Sequence, residues 1–141
     1  MIALFPLARV RIDLGRPMAV GGGRAGARYL FEVAGAELSG DRLRATLCGA
    51  DESGWTLVAA HGAGRMEGRW TLRTPDGAEV TVECRGRCAL DVGLRLPLEV
   101  HMAAGFVTSD PRYAWLNRVQ AVGTGVVHED LVLTASWYQV R

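Results

Sequence analysis

Apolar and polar residues alternate with a period of two through several windows of the chain, which marks strands with one face turned inward. Val10, Ile12 and Leu14 alternate with Arg9, Arg11 and Asp13, and Tyr29, Phe31 and Val33 share one face of residues 28–33. Leu43, Ala45 and Leu47 alternate with Arg42, Arg44 and Thr46. Near the end, Leu131, Leu133, Ala135 and Trp137 oppose Val132, Thr134, Ser136 and Tyr138, and there both faces are fairly apolar. Together with residues 55–60, 65–74, 79–87, 98–107 and 118–127, these windows predict eight or nine strands. Eighteen glycines and five prolines leave almost no room for long helices. The short connections suit an antiparallel meander, which closes into a barrel or splits into a sandwich. Closure is favoured because it removes unpaired strand edges. The expected architecture is an all-β, single-domain antiparallel barrel over residues 1–141. One short helical turn fits at 111–117, where Asp110 can cap it and Pro111 suits the first helical position.

The sharpest local signal is Arg73-Thr74-Pro75-Asp76-Gly77-Ala78-Glu79. Proline suits the second position of a type I turn and glycine the left-handed position after it, so a three-residue hairpin loop is predicted. That loop sets Arg73 opposite Glu79, Arg69 opposite Glu83 and Glu67 opposite Arg85, with Leu72, Trp70 and Gly68 facing Val80, Val82 and Cys84. One face is apolar. The other is a ladder of opposite charges, each pair contributing roughly 0.2–1 kcal/mol. A two-residue loop would set arginines against valines instead. The one-face-polar habit of antiparallel sheets turns such a ladder to water. The functional alternative turns it into the barrel lumen as a polar pocket, since buried guanidinium–carboxylate pairs contribute little to stability by themselves.

Composition narrows the chemistry. The net charge is +1, with 16 basic and 15 acidic residues and no one-sided patch, so neither nucleic acid nor an acidic membrane surface is an expected partner. Every basic residue is arginine, which excludes a P-loop, a Schiff-base lysine and lysine-held pyridoxal phosphate. No apolar run is long enough for a membrane span, and Met1 to Leu14 lacks the pattern of a secretory leader. The three cysteines, Cys48, Cys84 and Cys88, suit free thiols in a cytoplasmic protein, with Cys48 and Cys84 as core fillers. The cysteine spacing and the isolated His61, His101 and His128 give no metal site. Gly21 to Gly26 matches G-x-G-x-x-G formally, but a strand rather than a helix is expected after it, so no nucleotide or other cofactor is expected.

Several segments together resemble the DUF3237 family, also called UPF0311. They are Arg65-Met66-Glu67-Gly68-Arg69-Trp70-Thr71-Leu72-Arg73-Thr74-Pro75-Asp76-Gly77-Ala78, then Asp110-Pro111-Arg112-Tyr113-Ala114-Trp115-Leu116-Asn117-Arg118, and Val122-Gly123-Thr124-Gly125. Leu4-Phe5, Arg11-Ile12-Asp13-Leu14-Gly15 and the final Trp137-Tyr138-Gln139-Val140 fit in place. The resemblance implies a compact antiparallel β-barrel of bacterial or fungal type whose members often accompany catabolic or specialised-metabolite enzymes. It maps the family's polar positions onto Glu67, Arg69, Thr71, Arg85, Thr108, Tyr113 and Asn117. The chain departs from the family in carrying Glu67 where aspartate is expected and His101 where arginine is expected.

These residues suggest a small-molecule-binding barrel with cofactor-independent acid–base chemistry in the lumen, of the isomerase, cyclase, dehydratase or hydrolase type. Glu67 and His101 would move the proton, and Arg69 and Arg85 would hold an anionic oxygen. Thr71, Tyr113 and Asn117 would orient the substrate against Trp70. A non-catalytic carrier or sensor, and a structural oligomer-forming module, are the alternatives. The expected partners are a small organic ligand and a second copy in a homodimer.

Overall fold

The turn at Pro75 sets the register of the two strands that flank it. The computed structural model describes residues 1–20, 26–49, 54–90 and 93–141. In it, β6 (Ala63–Arg73) and β7 (Glu79–Ala89) pair antiparallel, with Arg73 facing Glu79, Arg69 facing Glu83 and Glu67 facing Arg85. This is the register that the charge matching requires. The Thr74 N–H donates to the Ala78 carbonyl at 2.9 Å, and the Ala78 N–H donates to the Thr74 hydroxyl at 2.9 Å. Gly77 takes a φ of +90°, the left-handed conformation that closes the three-residue loop and that a side chain would penalise.

The remaining strands are β1 (Leu4–Leu14), β2 (Met18–Val20), β3 (Ala27–Ser39), β4 (Arg44–Leu47), β5 (Gly54–Ala60), β8 (Leu98–Val107), β9 (Ala121–Val127) and β10 (Val132–Val140). From β6 the sheet runs through β7, β8, β9 and β10 to β1, each pair antiparallel. β1 then pairs with β3 from Arg9–Ser39 to Leu14–Val33, and β3 returns to β6 through β5 along its first half and β4 along its second. Eight strands close the antiparallel barrel and two are additional.

β3 outruns the window predicted for it, because Ala34, Gly35 and Ala36 carry no hydrophobic alternation to mark the face. β9 begins at Ala121 rather than at residue 118, since a 3-10 helix (Pro111–Arg118) extends over the predicted strand start. The cap is as expected: the Asp110 carboxylate accepts from the Arg112 N–H at 2.9 Å, with Pro111 in the first turn. Among the described residues, no helix is long and apolar enough to cross a membrane. The formal glycine motif lies mostly outside the described residues, but the chain enters β3 at Ala27, directly after Gly26.

Large side chains fill the barrel centre. Trp70, Val82 and Phe106 stand side by side on β6, β7 and β8, each buried. The Trp55 and Trp70 rings lie 5.4 Å apart, and Phe106 meets Trp137 edge-on at 6.2 Å. Gly68 sits opposite Trp55, and a Cβ there would lie 2.6 Å from the Trp70 ring. The glycine therefore supplies the space into which the indole folds. An eight-stranded barrel is only just wide enough for side chains to pack inside it, and these aromatic rings occupy that width. Cys84 joins this core, whereas Cys48 lies half-buried just beyond β4.

Candidate functional site

Strand geometry decides what the ladder can do. Side chains alternate between faces, so with Met66, Trp70 and Leu72 buried inside, Glu67, Arg69 and Arg73 must point out of the barrel. Glu83, Arg85 and Arg87 point outward from β7 and His101 from β8. The lumenal site expected for Glu67, Arg69, Arg85 and His101 is thus corrected: all four are exposed on the outer wall. The cause is volume. Trp70 is 2 % exposed and Val82 0 %, and the apolar set claims the interior. Trp70 is accordingly a core residue and not a wall of a site open to solvent.

The ladder changes character along its length. Nearest the turn, Arg73 bonds Glu79 at 3.0 Å, and Arg69 bonds Glu83 at 3.2 Å. The next rung, Glu67 opposite Arg85, forms no ion pair and neither side chain has a hydrogen-bond partner among the described residues. Beyond it, Arg65 stands directly opposite Arg87, and Arg87 faces His101 on β8. His101 Nε2 lies 3.6 Å from the Glu99 carboxylate, with both side chains largely in solvent. The open rung borders two shallow grooves. One, of about 800 Å³, is lined by Thr56, Glu67, Arg69, Glu83, Arg85 and Gln120. Its neighbour, of about 390 Å³, lies among Arg65, Glu67, Arg85, Arg87 and His101. A further groove of about 740 Å³ crosses β1, β10 and β9, but Glu67, Arg85 and His101 do not line it.

The other expected site residues serve the barrel's end. The Tyr113 hydroxyl donates to the Asp76 carboxylate at 3.0 and 3.1 Å, so it holds the hairpin tip. The Asn117 side chain accepts from the Thr108 N–H at 2.8 Å and donates to the Thr108 carbonyl at 2.9 Å, while the Thr108 hydroxyl donates to the Glu79 carbonyl at 2.7 Å. Arg112 bridges the Asp110 carboxylate at 2.9 Å and the Asp76 carbonyl at 3.0 Å. Leu116 plugs the end beneath them, fully buried. Thr71 shares a hydroxyl contact of 3.4 Å with Thr81 on the outer wall. Six residues of extended strand separate Glu67 from Arg73, roughly 20 Å at about 3.3 Å per residue. The helix that carries Tyr113 and Asn117 therefore does not meet a ligand seated at Glu67. Sequence reasoning passed over Arg65 and Arg87, although continuing the ladder's register two residues would have paired them.

Electrostatics follow these contacts. The Thr74 hydroxyl, then the Tyr113 hydroxyl and the Arg112 charge, hold the Asp76 carboxyl below the ordinary carboxylate range. The Arg112 guanidinium does the same for Asp110. Burial pushes the Cys84 thiol up to about 12. Among the described residues, no three histidine, cysteine or acidic side chains gather in a way that could hold a metal ion.

Solved structures share the whole architecture. The β-barrel-like protein of Acinetobacter baumannii AYE superposes with a TM-score of 0.85 at 22 % identity, covering 100 % of this chain and 97 % of that one. A protein of unknown function from Clostridium acetobutylicum gives 0.88 at 16 % identity, with 100 % of both chains covered. An enzyme from Penicillium herquei gives 0.71 at 22 % identity, covering 100 % of this chain and 94 % of that one. At these identities the likeness is one of fold. No curated protein matches the chain. The sequence does match, over residues 2–140, the profile described as "Protein of unknown function (DUF3237)", and the chain belongs to that family.

Proposed function

We propose that this barrel binds a small organic anion on its outer wall, across β6, β7 and β8, at the Glu67–Arg85 rung. The observation that carries the reading is the contrast along one ladder: two rungs are closed as ion pairs at 3.0 and 3.2 Å, while the third leaves both charges unengaged. A guanidinium has five donors and no acceptor, in a fork that fits a carboxylate. Arg69 is occupied by Glu83, so anion recognition falls to Arg85. Isothermal titration at low ionic strength with benzoate and butyrate tests this. The wild type should bind at least one of them saturably, Arg85→Ala should weaken that binding about tenfold, in keeping with the loss of a charge-assisted pair, and Arg95→Ala, at an exposed position before β8, should not. Equal binding by wild type and Arg85→Ala, or no saturable binding, overturns the reading.

A second, catalytic reading rests on the residue types beside Arg85. Glu67 can accept a proton and His101, two residues along β8 from the partner of Arg85, can donate one, without any cofactor. Its mark would be deuterium exchange at the α-carbon of acetoacetate above the buffer rate, abolished in Glu67→Gln while binding persists.

A further inference from the structure

Like charges set directly opposite each other on a sheet are destabilising, and sequences ordinarily interleave opposite signs there. Here Arg65 and Arg87 face each other on β6 and β7, and Arg87 also faces His101 on β8. The outward position before Arg87 on its own strand is Arg85. Neither the Arg65 nor the Arg87 side chain has an ion pair or hydrogen bond among the described residues, and the Glu99 carboxylate beside them approaches His101 instead. Arg65, Arg85, Arg87 and His101 all border the same groove, whose acidic lining residue is Glu67. Three guanidinium groups thus converge on one depression without a counter-charge for each.

We propose that the Arg65–Arg87 rung is a second anion subsite, so that the ligand of this wall is a dianion carrying oxyanion groups at both ends. One end would sit at Arg85, as in the reading above on which this inference rests, and the other between Arg65 and Arg87. Outward residues two apart on a strand are separated by about 6.6–7 Å, which suits a diacid of roughly five carbons, its two carboxyl carbons included. A planar carboxylate and a phosphoryl group both fit such a guanidinium pair, the phosphoryl group bringing the larger negative charge.

Glutarate and its monomethyl ester separate the two subsites, because they differ by one charge at nearly constant shape. By titration at low ionic strength, the wild type should bind glutarate about tenfold more tightly than the ester, and the advantage should shrink as salt is added. Arg87→Gln should bring glutarate down to the affinity of the ester and leave the ester unchanged. 4-Phosphonobutyrate, with the same five-atom backbone, tells the two anion chemistries apart: tighter binding than glutarate assigns the subsite to a phosphoryl group, weaker binding to a carboxylate. Thermal unfolding gives an independent readout, since Arg65→Gln removes a like-charge contact and should keep or raise the melting temperature. Equal binding of glutarate and ester overturns the second subsite while the Arg85 site stands. Failure of both probes to bind overturns both sites. A lower melting temperature for Arg65→Gln overturns the unopposed rung itself.

Discussion

At the scale of single residues, the alternation through Glu67, Gly68, Arg69 and Trp70 separates two faces of a strand but carries no sign that says which is inside. Side-chain volume supplies that sign. The indole of Trp70 needs both the barrel centre and the missing side chain of Gly68, and no arrangement with the arginines inside could offer them. Gly68→Ala should therefore destabilise the fold by about 1–3 kcal/mol through overpacking. Gly54→Ala, where a Cβ would meet nothing within 4 Å, should cost less. The midpoints of urea unfolding of the two variants check this. Arg65 and Arg87 were equally legible, since the register that pairs Arg73 with Glu79 also pairs them. What sequence could not supply is that their charges stay unanswered, because that depends on β8 placing His101 and Glu99 alongside.

At the scale of elements, the Pro75 hairpin was readable in full because turn chemistry and charge matching are both local. The role of the 3-10 helix was not. Tyr113 and Asn117 belong to polar positions that the family resemblance singles out, and their hydrogen bonds go to the hairpin tip and to Thr108, contacts between residues distant in sequence. Asp76 is the joint. Its carboxyl is held below its ordinary range, first by the Thr74 hydroxyl, so this contribution is fully present above the unfolded value of about 3.9 and is lost as pH falls through the lower folded value. Protection of the amide hydrogens in residues 113–117, relative to their intrinsic exchange rates, should accordingly fall below about pH 4. Asp76→Asn should show faster exchange there at neutral pH, with exchange in β7 unchanged. Trp115 contributes a separate tie, since the Arg42 guanidinium lies 4.3 Å above its ring and also donates to the Gln139 side chain at 2.7 Å.

At the scale of the molecule, closure of the sheet was predictable from strand number and short connections, while the seam was not. The pairing of β1 with β3 joins segments whose alternation looks alike in any register, and only the folded chain selects Arg9 opposite Ser39. A closed wall also shields what lies behind it. The Cys84 thiol, pushed up to about 12 by burial, should resist a disulfide reagent at neutral pH until the barrel opens as a whole. Its labelling rate across a urea series should track global unfolding, and because Cys88 is buried as well, the slow thiol lost in Cys84→Ser is the one to follow.

The division between a packed aromatic centre and a charged outer wall has a consequence for how such proteins diversify. The groups proposed to recognise a ligand share a backbone with the core but none of its side chains, so the wall can be rewritten without repacking the middle. The same architecture at 16 % identity, with a TM-score of 0.88, shows how wide a change of sequence this fold accommodates.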